Sequence, residues 1–527
     1  MLRHPIVALT ALVTLSTACV YGDVCDEAFD GTCPATAGGG QGGSGGDAPV
    51  GGAGGQGGGE TAKCDPTMLE AGEAIAATCG VFVSAAGTGP GSQTSPAHDF
   101  ATALASISGA KRIYVCGDDT FEGSVELPAG VSVFGGLSCD WQRASQLKPE
   151  IAGDPNTIAV TITGTGESRI EDLAISSPAA TMPGESSIAV LVDGGANVEF
   201  VRASLSAGAG AAGEPGAPYA AQATSGAPGG PGQQGCDDTS SNIGGDPGMN
   251  VCGLDDVSGG LGGTGATGPN GGPGAQGGPE LTGGLAGTAQ TSSQCQPGGQ
   301  GDGGSGGTPG FAGTGIGSLA ATGYTPVGPP ADAGAGTRGE GGGGGGGAHR
   351  CTSSAPINAG PGGGGGGAGG CGGLGGHGGT GGGASFALAI LSGTVTLTTS
   401  QLSAATGGAG GAGGNGQVGG SGGDGGLKGA VMGTNTEGAD ACAGGKGGAG
   451  GRGGGGGGGA GGPSAALARA SAGQVTIDAD SVLNGGVPAS GGLGSDNAGV
   501  SPKGADGDPG QACSQLVFDG SPDGQCD

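Results

Sequence analysis

Residues 187–208 read SIAVLVDGGANVEFVRASLSAG. Apolar and polar side chains alternate through Val198, Glu199 and Phe200, the period of a strand with one inward face. A corner of small residues follows, and a second short run reaches Leu205. The pattern returns far downstream. Residues 385–408 read SFALAILSGTVTLTTSQLSAATGG, and residues 464–486 read SAALARASAGQVTIDADSVLNGG. With Val198, Val395 and Val475 aligned, Phe200, Leu397 and Ile477 stand two residues on, and Leu205, Leu402 and Val482 seven on. Residues 158–176, IAVTITGTGESRIEDLAIS, form a weaker fourth copy, with Ser168, Ile170 and Ile175 at these positions. One such unit cannot bury its own apolar face, whereas stacked units can. The shared offsets favour stacking over unrelated edge strands of a sandwich. They predict an all-β chain, a parallel β-helix (solenoid) whose long insertions leave from one corner between rungs.

The insertions have a period of their own. Residues 360–383 divide into GPG GGG GGA GGC GGL GGH GGT GGG, and residues 259–279, 407–427 and 444–464 divide likewise. A polyproline II helix has three residues per turn, so each tract forms a rod with at least one edge free of side chains. Collagen also has this period but needs more proline than 31 against 145 glycines in 527 residues. Two readings remain open: polyglycine II rods hydrogen-bonded through their bare edges, or disordered linkers.

The first residues read as an export signal. Arg3 and His4 precede the apolar stretch 6–15 and the small residues 16–18, so 1–18 is assigned as signal peptide. The stretch is too short to cross a bilayer as a helix. Cys19 follows directly, which resembles a bacterial lipobox, although Ser16 stands where leucine is usual. That resemblance implies lipidation of Cys19, with ordinary cleavage and secretion as the alternative. Residues 19–63 then form a lipidated, Gly-rich tether. Of 15 cysteines, lipidation of Cys19 leaves an even number to pair in an oxidising compartment. Proximity in sequence suggests Cys25–Cys33, Cys64–Cys79, Cys116–Cys139, Cys236–Cys252 and Cys513–Cys526. Cys295, Cys351, Cys371 and Cys442 are left for longer bridges, and sequence does not fix the connectivity. The net charge of −29 argues against nucleic acid as a partner.

Residues 81–141 read VFVSAAGTGPGSQTSPAHDFATALASISGAKRIYVCGDDTFEGSVELPAGVSVFGGLSCDW. This stretch resembles the start of right-handed β-helix proteins of the pectin-lyase-like type. The resemblance implies a capping helix over 98–108 and first rungs at RIYVCGDDTFEG and SVELPAGVSVFGG. The Gly-rich half resembles the repeats of PE-PGRS proteins, but their PE domain has no counterpart here. The expected organisation is β-helix cap and first rungs at 64–206, insertion at 207–384, rung at 385–406, insertion at 407–463, rung at 464–487, and a C-terminal loop with a disulfide at 488–527.

Pectin-lyase-like enzymes place clustered aspartates, or a calcium site beside Arg or Lys, on one face of the rungs. The residues that could do so here are Asp118, Asp119, Glu122, Glu126, Glu171, Asp172, Asp193 and Glu199, with Arg112, Arg169, Arg202 and Arg469. Paired carboxylates in turns are more often solvated, and His98 and His349 lack a nucleophile elbow. His377, six residues after Cys371, sits in a GGX tract and reads as an X residue rather than a zinc ligand. GGSGGDGGL, from Gly419, nearly fits a calcium nonapeptide but has Gly426 at the apolar position and no tandem copy. No catalytic, metal or cofactor residue is therefore assigned. The expectation is a non-catalytic surface lipoprotein of the outer membrane, structural or adhesive in role. Its expected partners are the membrane, through the anchor, and a surface glycan or another surface protein. A polysaccharide-active enzyme and an ice-binding protein are the alternatives.

Overall fold

The computed structural model describes residues 64–527, except 71, 110, 238–241, 292–293, 352–357, 433–437, 500–501, 523 and 527. The expected export signal and tether, with Cys19, Cys25 and Cys33, lie outside the described residues. Among the described residues the regular structure is β, apart from one α-helix, Phe100–Ser106, and short 3-10 turns. That helix is shorter than the expected 98–108. Asp99 caps it, accepting from the Thr102 amide, and Phe100 and Ala103 turn into the core.

The strands form three main sheets in which chain order is spatial order. The first runs from Val81–Val83 through Arg112–Cys116, Ser132–Leu137, Gly166–Glu171, Ala196–Val201 and Gly393–Thr398 to Gly473–Ile477. The second contains Val125–Pro128, Ile158–Thr163, Ser187–Val192, Ser385–Ile390, Ser464–Ala470 and Ala512–Phe518, with Gln525–Cys526 added antiparallel. The third contains Thr120–Glu122, Glu150–Ala152, Ala174–Ser177, Ser204–Ala207, Gln401–Ala404 and Val482–Asn484. All other neighbours in these sheets pair parallel. Val198 lies between Ser168 and Val395, and Val395 pairs with Val475. Phe200 lies between Ile170 and Leu397, and Leu397 pairs with Ile477. These inward columns join Leu205 and Leu402 in one buried cluster.

Two expectations need correction. Leu402 pairs with Leu483, and Val482 pairs with Gln401 and is exposed. The third copy has one more residue in its corner, where the Asp478 carboxylate accepts from the Ser481 amide and hydroxyl. Counting seven residues from Val475 therefore lands one short. Residues 488–527 are also more than a loop, because Ala512–Phe518 extends the second sheet beyond Ser464–Ala470.

The glycine tracts are ordered by backbone hydrogen bonds. In tract 360–383, successive amides point to three different neighbours. Gly362, Gly365 and Ala368 donate to tract 208–235; Gly363, Gly366 and Gly369 to tract 257–266; Gly364, Gly367 and Gly370 to tract 441–462. Its carbonyls accept from tracts 242–250, 333–348 and 407–430. Six neighbours thus surround it, and consecutive members of that ring bond to one another. Residues 341–347 and 453–459 are enclosed in the same way, the first by tracts including 271–278, 283–290 and 296–313, the second by tracts including 487–495 and 504–511.

These enclosed stretches share a sequence feature. Residues 341–347, 362–367 and 453–459 are uninterrupted glycine. A Cβ on Gly363, Gly364 or Gly365 would meet a carbonyl oxygen of a different neighbour in each case: Gly345, Gly426 or Asp246. A tract with one free side reads GGX instead. In 407–430 the residues Ala412, Asn415, Val418, Ser421, Asp424 and Leu427 are all exposed, three apart. Glycines per triplet therefore report how many sides of a tract are covered.

Six disulfides join described residues. Cys64–Cys79, Cys116–Cys139 and Cys513–Cys526 are local bridges. Cys236 bonds to Cys351 and Cys252 to Cys371, which corrects the expected Cys236–Cys252 pair; Cys295 bonds to Cys442. The reason is geometric. Tract 208–235 ends at Cys236, tract 333–348 ends just before Cys351, and their ends meet across the bundle.

Three measurements check this construction. Leu397→Asp should cost ~3 kcal/mol or more in denaturant unfolding, because Leu397 is fully buried and the new charge has no partner. Gly364→Val should abolish amide-exchange protection in tract 360–383, whereas Ala412→Val should leave it unchanged. Asp99→Ala should cost ~1 kcal/mol as a lost helix cap. Hydrogen bonds from Thr102 hold the Asp99 carboxyl below its ordinary value. The cap is therefore intact above pH ~4 and lost as pH falls through that lower value.

Candidate functional site

The outward face of the first sheet carries the one place where charged residues of several strands meet among those singled out above. Alternation that sends Ser168, Val198 and Val395 inward sends Glu167, Asn197 and Thr394 outward, in register. One step along, Arg169, Glu199 and Thr396 form the next row. Together with Ser132 these side chains line a shallow groove. Arg169 bridges two strands: Nε donates to Glu171 Oε2 at 2.7 Å and Nη1 to Glu199 Oε2 at 2.8 Å.

The groove borders a stacked corner. Asp172, Arg202 and Thr399 each have φ of 50°, a left-handed conformation repeated at the ends of three adjacent strands. Their amides continue the ladder, Asp172 N–H to the Val201 carbonyl and Arg202 N–H to the Thr398 carbonyl. The Arg202 guanidinium grips Asp172 with two bonds of 2.8 Å and also reaches Glu171 Oε1. The Glu171 and Asp172 side chains are only 1% and 2% exposed. Asp172 raises the pKa of Arg202 by hydrogen bond and charge, against the effect of burial. For Arg169, burial works against the charge, and Glu171 with Glu199 more than offsets it. The two buried carboxylates are thus neutralised by two guanidinium forks, the geometry best suited to such pairing.

The remaining expected residues are dispersed. Asp118 and Asp119 lie in the turn after Cys116, and Glu122 is exposed at the end of Thr120–Glu122. Glu126 lies on the second sheet beside Thr161. Asp193 accepts from the Ser392 hydroxyl at 2.8 Å. Arg112 opens its strand, and Arg469 pairs in register with Ile390 and Val517 on the second sheet. His98 and His349 contact backbone carbonyls of Ala85 and Arg350. His377 pairs with Asp332 at 3.1 Å and stacks on Tyr219. Asp424, in the calcium-like GGSGGDGGL, pairs with Lys446 at 3.2 Å. Among the described residues no three His, Cys, Asp or Glu side chains are grouped as metal ligands.

Sequence reasoning passed over Ser132, Glu167, Asn197, Thr394 and Thr396. The alternation that placed the inward columns also marks the three strand positions of the last four as outward. Chemically, the groove offers donors and acceptors at the spacing of stacked strands, ~4.8 Å, to a polyhydroxylated ligand. Its innermost carboxylates are committed to arginine.

No protein-family model, no curated protein and no solved structure matches the chain.

Arg202→Ala should destabilise the chain by ~3 kcal/mol or more, because it leaves Glu171 and Asp172 buried with a missing partner. Glu199→Gln should cost under ~1 kcal/mol, since that bridge is partly solvated. Paired chemical-denaturation curves give both values.

Proposed function

We propose that this is an exported, non-catalytic surface lipoprotein with a structural or adhesive role. On this reading the three sheets are the faces of a parallel β-helix, and the tracts are a polyglycine II bundle carried on its side. The observation that carries the reading is the bundle itself. It invests a large part of the chain in a backbone-bonded body, crosslinked by Cys236–Cys351, Cys252–Cys371 and Cys295–Cys442, that displays a row of varied X side chains. Disulfides of this kind persist in oxidising compartments, which agrees with an export signal. The neutralised Glu171–Asp172–Arg202 corner supports structure rather than proton transfer. The groove through Arg169, Asn197 and Glu199 is where a surface glycan would bind.

The same groove favours one other reading, a polysaccharide-active enzyme, because Arg169 and Glu199 are its partly open charged pair. Loss of polysaccharide cleavage on Glu199→Gln, with unchanged stability, would establish that reading instead.

Cys19 is assigned as the lipid anchor, in a leader followed by Val20 rather than aspartate. Stable attachment needs more than one acyl chain, as on bacterial lipoproteins. Fractionation with acyl labelling tests it. The wild type should take the label and sediment with outer membranes, and Cys19→Ala should be released unlabelled. An unlabelled wild type with Cys19→Ala still membrane-bound would overturn the assignment.

A further inference from the structure

Three neighbouring rows of backbone donors in the bundle lose their partners at the same level. Gly363, Gly366 and Gly369 donate to the Gly263, Gly260 and Val257 carbonyls. The next amides of that row, Gly372, Gly375 and Gly378, have no partner among the described residues; Gly372 is part-exposed, Gly375 and Gly378 are buried, and the row resumes at Gly381, which donates to Val327. On tract 333–348, Gly347, Gly344 and Gly341 donate to Gly272, Ala275 and Gly278, but the Arg338 and Ala335 amides have no described acceptor. On tract 296–313, Gln296 and Gly299 donate to Thr288 and Leu285. Asp302 and Thr308 then have no described acceptor, and the Ser305 amide turns to Thr337 Oγ1.

The cause is that the covering tracts, 257–266, 271–278 and 283–290, are short. Where they end, the long tracts beneath continue as a shelf. The Cys252–Cys371 disulfide and the Arg338–Asp255 pair mark the step. Leu374, 55% exposed, stands at the rim, and Ala335, Thr337, Asp302 and Ser305 are exposed. Side chains cap two carbonyls beside it: Asn250 Nδ2 donates to Gly369 at 2.7 Å and the Tyr219 hydroxyl to Gly375 at 2.6 Å. The carbonyls of Gly372, Gly378, Ala335 and Arg338 receive no described donor. An open hydrogen-bonding edge is a template for another chain.

We propose that this shelf is a self-association surface on which a second copy of the chain docks, shelf to shelf, about a twofold axis. The occupant is argued from continuity. A few residues along, the same three rows are filled by this chain's own three-period glycine tracts, whose bare edges allow the approach. Each shelf offers both donors and acceptors, so it complements a second copy of itself, as an isologous interface requires. The net charge of −29 opposes association, so salt should strengthen it. This inference stands apart from lipidation and from the role proposed for the groove.

Sedimentation velocity on the purified full chain, over a wide concentration range and at low and high salt, is the test, joined to amide exchange on the same samples. The wild type should pass from monomer to dimer, more readily at high salt, with the Gly372, Ala335 and Arg338 amides slowed only in the dimer. Ala335→Arg with Leu374→Arg should weaken association by about tenfold or more. Ala412→Arg, on the tract 407–430 exposed row, should not. A wild type that stays monomeric, or a dimer that survives the double variant, overturns the proposal. Should the double variant misfold, the wild-type exchange data decide alone: rates at these three amides independent of concentration overturn it.

Discussion

A peptide group withdrawn from water needs a hydrogen-bond partner, and a backbone can reach another backbone from many sides only where no Cβ intervenes. That constraint organises this molecule. In the sheets each strand meets two neighbours through its edges, and side chains fill the inward face. In the glycine tracts the backbone meets as many as six neighbours, and there is no room for a side chain between them. Glycine pays for this with a larger loss of conformational freedom than any other residue. The disulfides that tie tract ends together act on the same term by limiting the unfolded chain.

The sheets and the tracts depend on one another. Each insertion leaves the third sheet after Ala207 or Ala404 and returns at Ser385 or Ser464 in the second. The stacking of Ser187–Val192, Ser385–Ile390 and Ser464–Ala470 therefore holds the roots of the tracts side by side. The hairpin of Ser318–Ala320 and Gly323–Thr325 closes the join: Leu319 and Tyr324 pack on the outward cluster of Ile188, Phe386 and Leu516. In this way a chain with few aromatic residues keeps two small apolar layers on either side of one sheet.

Much of this was legible in the residues. The columns through Val198 and Phe200 follow from offsets alone, because a strand's inward positions recur strictly. Val482 misled because a corner can take one more residue without disturbing either strand. The period of three announced the tracts, but the difference between GGG and GGX was not read as a measure of enclosure, since that depends on neighbours distant in sequence. The Cys236 pairing failed for the same reason: tracts reverse direction, so residues sixteen apart stand on different tracts while partners far apart meet. At the groove, Arg169 and Glu199 could be named, but their convergence with Glu171, Asp172 and Arg202 required the register between strands and the left-handed corner.

The enclosed tracts have a thermodynamic consequence. Apolar surface exposed on unfolding raises the heat capacity, and exposed polar backbone lowers it. A body held mainly by peptide–peptide bonds around residues such as 341–347 and 453–459 should therefore unfold with a small heat-capacity change for its length. Its stability curve would be broad and shallow, changing little between cold and warm surroundings.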